Sequence, residues 1–154
     1  MNRTRGGLRL DAHKVRSTAR PVRAASAPET VIVPLAQHAG AAAVPLISPG
    51  ERVLKGQPIA QPGAEISAWL HAPVSGKVTA IESRPAPHRR GEPAASIVIA
   101  NDGLEQKFAA PAHDADYQSL DPSELRDFIA RGGIVGLGGA TFPTAVKLTQ
   151  ASRS

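Results

Sequence analysis

The chain has 154 residues, with 14 glycines, 14 prolines, no cysteine, a net charge of +5 and only 3% aromatics. That length holds one ordinary domain or a small domain with appendages, and so much glycine and proline favours turns and short strands over long helices. The lack of cysteine excludes disulfides, thiolate zinc sites and cysteine-ligated iron–sulfur clusters within the chain, and no apolar run of about eighteen residues offers a transmembrane helix.

Residues 1–28 read as a basic, irregular arm ending in "RPVRAASAP". Arg3, Arg5, Arg9, Lys14, Arg16, Arg20 and Arg23 face a single acid, Asp11, a balance of +6, while the rest of the chain stands at −1. Such an arm suits an anionic membrane surface, an acidic partner or nucleic acid. It also has the Arg-rich, acid-poor character of a transit peptide, and it equally suits a solvated leader. No aromatic platform or recognition-helix pattern accompanies it, so nucleic-acid binding is not expected. No apolar stretch follows the N-terminus as a secretory signal would require.

"TVIVPLAQ" (Thr30–Gln37) is β-branched and apolar and predicts a strand, with Pro34 confining it to an edge or a bend. "AVPLI" (Ala43–Ile47) is a second short apolar run. "SPGERVLKGQPIA" (Ser48–Ala60) places turns at Pro49-Gly50 and Lys55-Gly56 around a strand at Arg52–Leu54. Trp69–Ala72 leads into the turn "PVSG", and Lys77–Ile81 alternates as a strand does. "RPAPHRRGEP" (Arg84–Pro93) is a polar loop, and "ASIVIA" (Ala95–Ala100) is the clearest strand, closed by a turn at Asn101–Gly103. Gly56 and Gly76 each stand where a turn needs positive φ or a close backbone approach. These elements predict a compact all-β module over residues 29–105.

A connector without periodicity follows at 106–120. "DPSELRDFIARGG" then carries the clearest helix signal. Asp121 caps it, Pro122 suits its first position and Glu124 completes a capping box. Leu125, Phe128 and Ile129 make one apolar face, and Gly132 and Gly133 end the helix. A second helix is expected from near Pro143. Residues 121–154 thus form a helix, a glycine-rich loop and the opening of a further unit.

The β module resembles the barrel-sandwich hybrid fold of biotinyl and lipoyl carrier domains. Val53, Gly56, Gln57 and Ile59, followed by Ala72, Pro73, Ser75, Gly76 and Val78, match its two turn motifs. A carrier needs an acceptor lysine at the tip between them, and "AQPGAEISAWLH" (Ala60–His71) has none. Lys55 and Lys77 belong to the turn motifs instead. No covalent lipoyl or biotin group is expected.

"GIVGLGGATFPTAVKL" (Gly133–Leu148) is the most ligand-like stretch. Gly136, Gly138 and Gly139 precede a helix start and would expose backbone N–H groups to a phosphate or a flat ring, with Lys147 about one turn into the helix. The dinucleotide and Walker fingerprints fit poorly, since Thr141 stands where a third glycine belongs and no Gly-Lys-Ser/Thr occurs. By these residues alone, a structural turn is an equal reading.

"GLGGATFPTAVKL" resembles the flavin-binding loop shared by the flavoprotein subunit of respiratory complex I and the C subunit of the Rnf ion-translocating electron-transport complex. Leu137 favours the Rnf form, where complex I usually has arginine. "GGLRLDAHK" (Gly6–Lys14) and the order of the β-module motifs are similar to the same Rnf subunit, over about residues 6–150. The resemblance implies a mainly β fold: a barrel-sandwich hybrid, a connector, a short helix and the truncated start of an α/β domain binding FMN and NADH. Gly136, Gly138, Gly139, Ala140, Thr141 and Phe142 would line FMN, and Lys147 would approach its phosphate. The family's 4Fe–4S clusters have no ligands here. The resemblance further implies a peripheral place on the cytoplasmic face of the bacterial inner membrane, among other subunits of an electron-transport complex. The chain is expected to be a fragment or truncated product, inactive alone and holding FMN weakly. The alternative is a freestanding β-sandwich binding or assembly module without redox activity.

The histidines, His13, His38, His71, His88 and His113, lack metal-ligand spacing, so no metal site is expected. His71 suits packing or hydrogen bonding. Trp69 is expected in the core, with a contact role at the module's tip as the other option.

Overall fold

A computed structural model describes residues 13–86, 92–109 and 117–151. Most of the opening motif at Gly6–Lys14, the interior of the Arg84–Pro93 loop, and His88 and His113 lie outside them. The described part of the arm holds one unforeseen element, a four-residue helix α1 at Val15–Thr18. It forms locally: the Lys14 carbonyl accepts from the Ser17 and Thr18 hydroxyls and from the Thr18 N–H, and no residue of it is buried.

Seven strands follow: β1 Thr30–Pro34, β2 Val44–Pro45, β3 Arg52–Val53, β4 Pro58–Gln61, β5 Leu70–His71, β6 Gly76–Pro85 and β7 Pro93–Asn101. They build a four-stranded sheet in the order β1-β7-β6-β3 and a three-stranded sheet in the order β2-β4-β5, with every neighbouring pair antiparallel. β1 lies at a sheet edge, as Pro34 demands, because an interior position would need the N–H that proline lacks. Its alternation sends Val31 and Val33 to the core and leaves Ile32 exposed.

The core closes between the two sheets. Val53, Ile59, Val78, Ile97 and Ile99 are fully buried, with Val33, Leu35, Ile47 and Leu70 around them. Burying one such aliphatic side chain contributes about 1.5–3 kcal/mol, so these few side chains carry the module with almost no aromatic help.

β6 departs from simple alternation. Val78 pairs with Ile99 and Ala80 with Val98, which leaves Thr79 as the extra residue of a bulge. The Thr79 hydroxyl donates to the Val98 carbonyl. The bulge brings Ile81, three residues after Val78, onto the core face. β6 and β7 also run further than their apolar patterns, pairing out to Pro85 and Pro93.

The two motif glycines differ in their reason. Gly56 has φ +87° and open space where a Cβ would sit. Gly76 faces the β7 backbone, where a Cβ would lie 2.0 Å from the Ala100 carbonyl oxygen. Beside it, the buried Ser75 hydroxyl donates to Asp102 Oδ1 at 2.7 Å and accepts from the Gln106 N–H at 3.0 Å. Arg52 bonds Asp102 Oδ2 and Gln106 Oε1. The chain after the Asn101–Gly103 turn is thereby tied to the module, and the tie continues where Lys55 pairs with Gln106 and Phe108. The connector therefore begins as a bonded strap and not as free chain. Lys55 forms an ion pair with Glu105 at 3.1 Å.

Two helices complete the described chain, α2 at Pro122–Arg131 and α3 at Thr144–Ala151. The capping box of α2 is complete: the Asp121 side chain accepts from the Ser123 and Glu124 N–H groups, and Glu124 accepts from the Asp121 N–H.

Candidate functional site

The glycine loop spans the gap between α2 and α3. Gly133 leaves α2 with φ +64°. Val135 then bridges Pro143 in antiparallel fashion, the Gly136 N–H donates to the Phe142 carbonyl at 2.9 Å, and the Thr144 N–H donates to the Ile134 carbonyl at 3.0 Å. These bonds pinch the root of the loop and push residues 137–140 outward. The Thr141 N–H closes the tip on the Gly138 carbonyl at 3.1 Å, with Thr141 itself at φ +44°.

The seven candidate residues fall into two groups, with Thr141 between them. Gly136, Phe142 and Lys147 meet at the root. The Lys147 ammonium lies 5.8 Å from the Phe142 ring centroid, and a Cβ on Gly136 would come 3.2 Å from it. Glycine at 136 thus keeps room for the amine. Gly138, Gly139 and Ala140 form the exposed tip, where a Cβ on either glycine would meet nothing within 4 Å. Leu137 beside them is fully exposed. Thr141 joins the tip to the barrel, since its carbonyl accepts from the Ala39 N–H at 3.4 Å.

This donor set fits the phosphate end of a flavin nucleotide in its chemistry: an unobstructed glycine backbone, a helix beginning at Thr144 and a lysine in its first turn. It offers one open face. A cavity beside the loop, of about 110 Å³, is lined by Ser67, Trp69, Ala130, Ile134, Pro143 and Val146 among others, and by none of the seven candidates. Ligand sites usually run to about 300–1,000 Å³. The cavity is therefore the seam between barrel and helices, too small for a flavin.

Trp69 belongs to that seam. Half-buried, it is absent from the barrel's core cluster, so the expected core role is corrected. The core lies between the two sheets, whereas Trp69 precedes β5 on the side where the helices pack. His71 follows, half-buried, and burial pushes its pKa down, opposed by a hydrogen bond with the Arg131 backbone. The buried His38 accepts from the Ala68 N–H at Nε2 and faces the Ala39 carbonyl with Nδ1. Among the described residues no cluster of three His, Asp or Glu could hold a metal ion. Sequence reasoning missed His38, Ala39 and Gly133 as parts of this seam; Gly133 alone left a signal, as a glycine one place beyond the helix cap.

The sequence profile of the family described as the RnfC barrel sandwich hybrid domain matches residues 2–104. The chain belongs to this family. It is 51% identical over 143 residues to the C subunit of the ion-translocating oxidoreductase complex of Pseudomonas aeruginosa, covering 93% of this chain and 18% of that protein. It is 38% identical over 144 residues to the C subunit of the Na(+)-translocating ferredoxin:NAD(+) oxidoreductase complex of Acetobacterium woodii, covering 94% of this chain and 32% of the relative. The corresponding C subunit of Rhodobacter capsulatus is 40% identical over 144 residues, covering 94% of this chain and 28% of the relative. The chain thus spans from less than a fifth to about a third of the length of these relatives. The mainly β, two-sheet architecture is the one this RnfC-type family predicts. Among the described residues no helix is long and apolar enough to cross a membrane.

Proposed function

We propose that this chain supplies the barrel-sandwich module and the flavin loop of an Rnf-type C subunit, which moves electrons between NADH, FMN and iron–sulfur clusters or ferredoxin, coupled to ion translocation. The observation that carries the proposal is the 51% identity to such a C subunit over 93% of the chain. The division proposed is an arm at 1–28, the module at 29–105, a connector at 106–120 and the start of the FMN and NADH domain at 121–154.

In this reading Gly136, Gly138, Gly139, Ala140, Thr141 and Phe142 border the flavin, and Lys147 approaches its phosphate. FMN held by these residues would supply the exchange between two-electron hydride chemistry and single-electron transfer. The residues of this chain bind and orient. Gly138 and Gly139 leave their backbone N–H groups unobstructed, the Gly136 N–H is taken by the Phe142 carbonyl, and Lys147 contributes charge. With no cysteine in the chain, no residue here fits a 4Fe–4S cluster as ligand. One open loop face does not enclose a ring system, so the chain alone neither oxidises NADH nor holds FMN tightly. The proposed location is the cytoplasmic face of the bacterial inner membrane, in contact with the complex's other subunits.

The test uses antibodies against residues 29–105 on fractionated cells of the producing bacterium. A membrane-associated polypeptide containing FMN and iron supports the proposal. A soluble, flavin-free product of 16.0 kDa would overturn it in favour of a freestanding binding module.

A further inference from the structure

The barrel touches the glycine loop at both of its ends. At the entry, a Cβ on Gly133 would lie 2.4 Å from the Trp69 carbonyl oxygen, 3.3 Å from its carbon and 3.4 Å from His71 Cε1. Two of these are backbone atoms, which cannot rotate aside. Any other residue at 133 would have to push α2 off β5 by about 1 Å to restore ordinary contact, and would also have to hold φ at +64°. At the exit, Ala39 donates its N–H to the Thr141 carbonyl at 3.4 Å, a long bond.

The exit contact has its own support. Ala39 lies in the segment after β1, and its neighbour His38 is buried. The Ala68 N–H can only donate and the Ala39 carbonyl can only accept. His38 is therefore the Nδ1–H tautomer, bridging Ala39 to the chain leading into β5 at 3.1 and 3.2 Å. The same short stretch, Ala68–His71, thus receives His38 from one side and Gly133 from the other. Both ends of the loop are referenced to one element of the barrel.

We infer that the barrel positions the flavin loop, with Gly133 and His38 as its positioning residues. The inference rests on the flavin-loop reading for its purpose, not for its geometry.

The 154-residue chain offers two readouts that involve no flavin. Trp69 is its only tryptophan and lines the seam. Amide hydrogen exchange at Gly136 and Thr141 reports loop closure, and at Ile97 and Ile99 reports barrel integrity. In Gly133→Ala the loop amides should exchange at least tenfold faster and Trp69 emission should shift to the red, with Ile97 and Ile99 still protected. His38→Ala should accelerate Thr141 exchange, and His38→Gln, which keeps an acceptor for the Ala68 N–H, should restore it. Unchanged loop exchange in both Gly133→Ala and His38→Ala, with the barrel protected, overturns the positioning role. If His38→Ala also loses β7 protection, Gly133→Ala decides, since it alters nothing inside the barrel core. FMN titration of the wild-type chain and of the membrane-associated product is scored separately. Loosened loop amides with no flavin in either would defeat the flavin reading and leave the positioning role standing.

Discussion

Alanine at Gly56 and at Gly76 is the same chemical change with two different expected costs. At Gly56 the Cβ meets nothing, so the cost is conformational: φ of +87° places an L-residue in the left-handed region, at about 1–2 kcal/mol. At Gly76 the Cβ falls 2.0 Å from the Ala100 oxygen, 2.9 Å from its carbonyl carbon and 3.2 Å from Asn101 Cα. All three are β7 backbone, so β6 and β7 must part at that end. Overpacking costs about 1–3 kcal/mol, and a rigid obstacle on this scale belongs at the upper limit, about 3 kcal/mol. For a chain of this size each kcal/mol moves Tm by roughly 2–4 °C, giving losses of about 2–8 °C for Gly56→Ala and about 6–12 °C for Gly76→Ala. Asparagine separates the causes, because it tolerates the left-handed region but is larger than alanine. Gly56→Asn should recover part of the loss, and Gly76→Asn should fall below Gly76→Ala. Urea and thermal unfolding followed by far-UV circular dichroism measure all four. Equal losses at the two sites, or a recovery with asparagine at 76, would refute the close-approach account.

Ser75→Ala leaves the Gln106 N–H without its acceptor inside the turn and should cost about 1–2 kcal/mol in urea unfolding. The Asp102 carboxyl is held below its ordinary 3.8 by the Ser75 hydroxyl first and the Leu104 N–H next. Its contribution is therefore full above that value and lost as pH falls through the depressed pKa, and Asp102→Asn should flatten the acid limb of the stability profile. His71 is held below its ordinary 6.5, chiefly by burial. The seam's stability is then full above 6.5 and declines as protonation is forced on acidification, so Trp69 emission should shift as pH falls below 6.5 in wild type and not in His71→Gln. Lys147→Ala should weaken FMN binding by the flavin-containing product about tenfold, the scale of one charge-assisted contact at an exposed site, read by flavin fluorescence quenching; unchanged affinity would remove Lys147 from the phosphate site.

Much of the β module was legible because its signals are local. Pro34 announced an edge strand, the Asn101–Gly103 turn closed β7, and the Asp121–Glu124 box began α2 at Pro122. The bulge at Thr79 was not legible. Strict alternation pairs Val78 with Ala80, and only the match of β6 to β7 selects Ile81 for the core. Helix α1 escaped notice because hydroxyl bonds to one carbonyl form it, with no apolar face to reveal it. The candidate loop was visible as glycines. Its division into a root at Gly136, Phe142 and Lys147 and a bare tip at 138–140 was not.

By itself the sequence determined where the chain turns, caps and alternates, and which family's motifs it carries, because those depend on residues a few places apart. Only the tertiary structure decided that Gly76 is a clearance against β7 while Gly56 is a dihedral, that Trp69 belongs to a seam, and that Gly133 and Ala39 hold the loop from its two ends. Each of these is a contact between segments distant in the chain, such as Gly133 with Trp69 or Thr141 with Ala39. Such contacts exist only once the two sheets have closed on their core and fixed where the Ala68–His71 stretch stands.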